Sequence, residues 1–448
     1  MQIDVRRHIH HLITGDGLKA RLIQGVMGIA GIQAANRLLA LALGILLART
    51  LGAEGYGIYA YAFALMSLLM VAAEAGVPTL LMREVATSHG RGEWGLLRGV
   101  LRRAGQFVAL TATTISLLGL LVVWGLADSL TQAVLYTTTL MLLLLPLSAG
   151  AKTVAYAMRG LQRVLIGAAV DELLRPMLVL MLLGSVFLFW PSWQKPHVAM
   201  AAQLVVAMVV LLVGWLILRR QTPALARTAR PVYKSRDWLR SALPFTLIGG
   251  AGVINSNTDI IMLGWFTGAE EVGIYRVAVQ GAALVALSIG VVSAVVAPHF
   301  ARFYAQGDKV RLQRLVTRSA QVILLTALPI ALSFIIAGGV IVAWVFGTEF
   351  AAAHTPLAIL AGGKLISVSF GLVGTLLTMT KYETNAARIL WQTAVLNVVL
   401  NVLLIPLFGM NGAAFATAIS LVILNLIFYQ QVKTKLLIAS TAFRVKWL

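Results

Sequence analysis

The chain has 448 residues, 59% of them hydrophobic and 12% charged, with a formal net charge of +20 and no cysteine. A mean hydropathy of +0.88 places it in the membrane class. Without cysteine there are no disulfides, thiolate nucleophiles or thiolate metal sites, and the positive charge needs no nucleic acid once its distribution is followed.

Apolar stretches run at 22–48, 58–82, 104–127, 133–151, 164–190, 198–218, 241–266, 274–300, 319–346, 356–380, 389–409 and 411–431. Each is long enough, as helix, to cross a hydrocarbon core of about 30 Å. A helix satisfies its own backbone in lipid, so the pattern predicts an all-α integral membrane protein with twelve transmembrane helices. The first stretch is long and continues into the bundle, so no cleavable signal peptide is expected.

The gaps between spans alternate in charge. One set holds Arg6, Arg7, Lys19 and Arg21; then Arg83, Arg91, Arg98, Arg102 and Arg103; then Lys152, Arg159 and Arg163. It continues with Arg219, Arg220, Arg227, Arg230, Lys234, Arg236 and Arg240 in the centre, and with Arg302, Lys309, Arg311, Arg314 and Arg318. Lys381, Arg388 and the tail residues Lys433, Lys435, Arg444 and Lys446 complete it, giving 30 of the 36 basic residues. The opposite gaps hold only Arg49 and Lys195. The positive-inside rule then puts both termini and the central loop in the cytoplasm, with attraction to anionic membrane lipids as a consequence.

The longest hydrophilic segment divides the chain into a cytoplasmic arm (1–21), an N-lobe of six helices (22–218), an inter-lobe loop (219–240), a C-lobe of six helices (241–431) and a cytoplasmic tail (432–448). A repeat marks the same division. Leu51-Gly52-Ala53-Glu54-Gly55-Tyr56-Gly57-Ile58-Tyr59 follows span 1, and Thr267-Gly268-Ala269-Glu270-Glu271-Val272-Gly273-Ile274-Tyr275 follows span 7, offset by 216 residues. Six spans per lobe is an even number, so the lobes form a parallel repeat about an axis along the membrane normal. The loops 83–103 and 301–318 mix leucine and valine with arginine and lysine, which predicts amphipathic interfacial helices.

No nucleotide loop is visible. Gly363-Lys364 lacks the earlier glycine, since position 358 is Ala358, and lacks the following Ser or Thr. His8, His10 and His11 have no carboxylate or cysteine at ligand spacing, so a solvated arm is expected there rather than a metal site. No nucleophile–base arrangement or catalytic carboxylate pair stands out, and no outer loop is long enough to build a catalytic site.

The informative residues are ionisable groups inside spans, each costing about 2.5–3.5 kcal/mol or more at mid-bilayer. They are Arg37, Glu74, Asp171, Glu172, Arg175, Asp259, Arg276 and Lys364. Asp171 and Arg175 stand at i and i+4 with the acid first, so an intrahelical bridge competes with a functional role. Pro176 frees the Glu172 carbonyl and predicts a bend. Glu74 and Arg276 lie near span ends, where snorkelling is the competing explanation. Arg37 and Lys364 lie deep, one in each lobe, and suit a cavity that binds an anion, with Arg276 as a third cation. Asp259 closes the polar run Asn255-Ser256-Asn257-Thr258-Asp259, read either as a packed polar interface or as a cation or substrate site. Glu74, Asp171, Arg175, Asn255 and Asp259 are the candidates for ion coupling or gating.

Several of these residues carry a resemblance. The loop 51–59, Glu74-Ala75-Gly76-Val77-Pro78 leading to Arg83-Glu84, and Arg159-Gly160 are part of it. So are Asp259 with Met262-Leu263-Gly264, and Gly409-Met410-Asn411-Gly412-Ala413-Ala414. In order and spacing, from about 20 to 437, they resemble the multidrug/oligosaccharidyl-lipid/polysaccharide exporter superfamily, and within it the Wzx-type polysaccharide flippases. The resemblance implies two lobes around a central cavity with alternating access, in a bacterial cytoplasmic (inner) membrane. It also implies an isoprenoid-pyrophosphate-linked oligosaccharide moved to the outer leaflet for O-antigen, capsule or exopolysaccharide synthesis. A polysaccharide polymerase or export machinery would be the neighbouring partner. No cofactor is expected beyond a coupling proton or sodium ion. A lipid II flippase is a close variant, and a drug/cation antiporter of the same superfamily would favour an acidic cavity. A membrane-embedded polymerase, the reading from a different class, needs a large extramembrane loop.

Overall fold

A computed structural model describes residues 18–380 and 382–442. Arg6, Arg7, His8, His10, His11, Lys381, Arg444 and Lys446 lie outside the described residues, as do the side chains of Lys19 and Arg21.

The described chain is all helical. Its main elements are α1 (Leu18–Glu74), α2 (Val77–Gly90), α3 (Trp94–Gly125), α4 (Gln132–Gly160), α5 (Val164–Phe189) and α6 (Pro196–Gln221). After the short α7 (Ala224–Thr228) come α8 (Ser235–Phe266), α9 (Ala269–Val285), α10 (Leu287–Ala305), α11 (Lys309–Phe346), α12 (His354–Ser369), α13 (Val373–Met379) and α14 (Glu383–Leu436). Among the described residues nine helical stretches are long and apolar enough to cross a membrane. Two of them are double: α1 breaks at Gly52 and α14 at Gly409, each in a positive-φ conformation that favours glycine.

Three predicted spans are interrupted. The stretch 58–82 breaks at Ala75 and Gly76, both at positive φ, and α2 restarts with Pro78 in its first turn. The stretch 274–300 breaks at Ala286, and 356–380 breaks around Gly371. Apolarity alone does not report such breaks, because the broken segments stay hydrophobic.

The expected interfacial helices over 83–103 and 301–318 do not form with those bounds: 83–90 belongs to the short helix α2, and 94–103, 301–305 and 309–318 to the ends of spanning helices. The basic segments join α2 to α3 and α10 to α11 through tight turns at Gly92 and Gly307. The turns have the same build. The Glu93 N–H donates to the Ser88 carbonyl at 2.9 Å, and the Asp308 N–H to the Phe303 carbonyl at 3.0 Å. Each is the six-to-one bond that closes a helix with a left-handed glycine.

At the charge-poor end the two sequence repeats pack on each other. A Cβ on Gly57 would lie 1.7 Å from the Ala269 carbonyl oxygen, and one on Gly273 would lie 2.0 Å from that of Ala53. Glycine at both positions lets the backbones of α1 and α9 touch. The Arg49 guanidinium donates to the carbonyls of Val345 (2.8 Å) and Trp344. Glu349 accepts from the Ala53 N–H at 3.2 Å, and Glu271 from the Met410 N–H at 3.2 Å, so each carboxylate serves a backbone donor just past a helix break. Exposed Trp124, Trp190, Trp193, Trp265 and Trp344 gather near this end, as expected of a membrane-interface belt.

At the basic end, the segment between α7 and α8 lies along α3. The Val232 N–H donates to the Gly95 carbonyl at 2.9 Å, and Arg98 to the Ala229 carbonyl at 2.6 Å. α14 continues past the expected tail boundary at 432, and residues 437–442 then fold back. Gln313 holds the Ala439 carbonyl (2.7 Å) and N–H (2.9 Å), and Ser440 donates to the Phe370 carbonyl at 2.8 Å.

Candidate functional site

Three polar cavities of about 350 Å³ each open inside the bundle. The first lies between the two limbs of α1, α5, α6 and α9. Its walls include Arg175, Arg276, Asp171, Tyr56, Tyr59, Gln203 and Gln280. Gln203 donates to the Tyr59 hydroxyl at 2.9 Å, while the side-chain carbonyl oxygens of Gln203 and Gln280 have no partner. Arg175 donates to the Ser148 hydroxyl at 3.1 Å. Among the described residues neither Arg175 nor Arg276 forms an ion pair.

Local structure explains why Arg175 has no ion pair. The bridge expected between Asp171 and Arg175 does not form, because 169–174 is a π-helical turn and i, i+4 no longer align. Pro176, which cannot donate to the Glu172 carbonyl, follows that turn. Asp171 and Glu172 turn instead to Arg159 on α4, at 3.5 Å and 2.8 Å. Arg276 does not snorkel to a span end; it stands beside Tyr56 on the cavity wall.

The second cavity shares Phe63 and Arg175 with the first and extends between α1, α4 and the start of α8. Glu74 is also not a snorkelling residue. It is 8% exposed and pairs with Lys152 at 2.8 Å. Its other oxygen, Oε1, has no partner.

The third cavity holds Asp259, Asn255 and Lys364 with Thr393, Asn397, Thr417 and Ser420. Asp259 is 3% exposed and accepts from the Tyr275 hydroxyl (2.7 Å), the Ile260 N–H (2.9 Å) and the Thr417 hydroxyl (3.3 Å). Asn255 donates to the Leu390 carbonyl at 3.4 Å. Tyr275 is the repeat equivalent of Tyr59, and both bring a buried hydroxyl to a polar partner.

The structure thus gathers Arg175, Arg276 and Asp171 in one cavity, Glu74 in its neighbour, and Asp259, Asn255 and Lys364 in a third. Arg37 lines none of the three. It is exposed, and its guanidinium reaches the Leu287 carbonyl at 3.4 Å. Reasoning from buried charge missed Lys152 and Arg159, which looked like cytoplasmic loop residues. Their signal was spacing: Ser148, Lys152, Tyr156 and Arg159 recur on one face of a helix. Tyr56, Tyr59, Gln203 and Gln280 carry no charge and gave no signal beyond the repeat.

The chain belongs to the polysaccharide biosynthesis protein family, whose profile matches residues 22–304. It is 28% identical over 192 residues to the probable low-salt glycan biosynthesis flippase Agl15 of Haloferax volcanii, covering 43% of this chain and 41% of that protein. It is 30% identical over 166 residues to the probable flippase AglR of the same organism, covering 36% and 35%. The matched region thus spans about two fifths or less of these relatives' length. Among solved structures, an inward-facing multidrug resistance MATE family transporter of the MOP superfamily superposes with a TM-score of 0.73 at 14% identity, covering 92% of this chain and 98% of that one. The lipid II flippase MurJ, in an inward closed conformation, gives 0.67 at 14% identity, covering 90% and 87%. At such identities the likeness shows the fold alone, that of a multi-pass membrane protein. With the flippase relatives, it supports the Wzx-type resemblance.

Proposed function

We propose that this protein flips isoprenoid-pyrophosphate-linked oligosaccharide from the cytoplasmic to the outer leaflet, as two six-helix lobes that alternate access around the cavities. Two arginines without ion-pair partners on the wall of one cavity carry this reading. A pyrophosphate is a dense anion, and guanidinium groups meet its oxygens with paired, charge-assisted hydrogen bonds. The same arginines disfavour a cationic drug as cargo. Helix packing at the charge-poor end supports a state closed toward the outside. The gradient of a coupling ion would supply energy, with Asp259 as the coupling residue. The Lys/Arg bias supports a cytoplasmic-membrane protein with both termini inside.

Orientation is checked by single-cysteine labelling in this cysteine-free chain. Positions 230 and 309 are expected to be shielded from an impermeant reagent in intact cells, and positions 53, 192 and 270 to be on the outer side. External labelling at 230 would invert the assignment.

The anion site is tested by export of lipid-linked oligosaccharide at matched protein abundance. Arg276→Ala and Arg175→Ala are each expected to reduce export by a hundredfold or more, since an unpaired buried phosphate costs about 3–5 kcal/mol. Arg276→Lys should keep part of the activity, having the charge without the fork. Lys364→Ala, which removes the cation of the third cavity, is also expected to impair export. Wild-type export by both Arg175→Ala and Arg276→Ala would remove the anion site.

A further inference from the structure

The second cavity has a composition that phosphate binding does not explain. It adjoins the arginine-lined cavity through Phe63 and Arg175, which line both. Its polar wall is built by Glu74 and Lys152, joined at 2.8 Å, and its remaining surface by such residues as Met66, Met70 and Phe245. Glu74 is 8% exposed as a residue and 11% in its side chain, and only one of its oxygens is paired; Oε1 has no partner and is itself shut off from solvent. A buried carboxylate oxygen left unmatched costs free energy unless a donor reaches it. With Lys152 already engaging the other oxygen, Oε1 has the chemistry to accept a hydroxyl donor.

We propose that this second cavity is the sugar-reading subsite for the lipid-linked substrate. It takes the sugar ring attached to the pyrophosphate, the Glu74 side chain turning so that a ring hydroxyl donates to Oε1. The inference rests on the flippase reading and locates recognition within it. Covalent structure requires the adjacency: the first sugar is bonded to the pyrophosphate, so a pocket that reads it must open from the anion site. A cavity of about 350 Å³ falls in the range of small-molecule sites, which combine apolar lining with a few polar groups. A site built to receive a hydroxyl at a buried acceptor rejects ligands that lack one, because the acceptor is then left unpaired.

The test uses the full-length protein in lipid nanodiscs with short-chain probes: bare farnesyl pyrophosphate, and farnesyl pyrophosphate carrying N-acetylglucosamine, glucose or galactose. Wild type is expected to bind at least one glycosylated probe about tenfold more tightly than the bare one. Glu74→Met, which removes both side-chain oxygens, should erase that ratio. The double variant Glu74→Met/Lys152→Met, which leaves no unpaired charge, should erase it as well and guards against a folding artefact. Arg276→Ala should weaken every probe alike and leave the ratio standing. Equal binding of all four probes by wild type, or a ratio that survives in both Glu74 variants, overturns the subsite while the anion site stands. Failure of wild type to bind any probe would remove the anion site and the subsite together.

Discussion

Gly273→Val is expected to destabilise the protein by about 3 kcal/mol or more. The new Cβ would stand 2.0 Å from the Ala53 carbonyl oxygen, and the reciprocal Gly57→Val would bring one to 1.7 Å from the Ala269 oxygen. Overpacking a core typically costs 1–3 kcal/mol when side chains can move aside. Here the obstacle is backbone from the other repeat, so α1 and α9 must separate along the seam that closes the charge-poor end. Thermal unfolding in detergent, followed by tryptophan fluorescence, measures the loss. Gly184→Ala is the matched control, because a Cβ there meets nothing within 4 Å. Equal melting of Gly273→Val and wild type would mean that the seam does not hold the closed end together.

Arg159→Ala should give the second large loss, on the order of 3 kcal/mol. Removing one partner of a buried ionic cluster strands the others, typically at 3–5 kcal/mol. The low end applies because the side chains of Asp171 and Glu172 keep 24% and 23% exposure. Restoring neutrality by adding Asp171→Asn and Glu172→Gln to Arg159→Ala should recover most of the loss. The cycle isolates the coupling, and purely additive losses would show that the carboxylates have other partners. Export separates this cluster from the substrate site. The neutral triple variant is expected to regain abundance, whereas Arg276→Ala loses transport at normal abundance.

Much of the fold is legible in the sequence because lipid imposes long apolar runs and the positive-inside rule marks their polarity. The repeat is legible too: the glycines it aligns, Gly52 with Gly268 and Gly57 with Gly273, break helices or meet at the closed seam. The site was legible in part. Arg276, Arg175 and Lys364 stood out as charges in apolar stretches, and each lines a cavity. Their partners did not stand out. The π turn at 169–174 shifts register, so the i, i+4 rule joined Asp171 to the wrong arginine. Lys152 and Arg159 sit where α4 outlasts its apolar run, which made them resemble loop charges. The uncharged tyrosines and glutamines cost little to place in a span, so a search for expensive residues passes over them. Arg37 shows the converse, since a charge deep in a span need not line a cavity.

The most direct test of the flippase reading follows the lipid-linked oligosaccharide in cells that lack this protein. The completed unit is expected to accumulate on the cytoplasmic leaflet, shielded from an impermeant sugar-modifying reagent, and to become accessible when the protein is restored. Cells that fail to make the completed unit at all would place the protein in synthesis rather than transport, and would contradict the account.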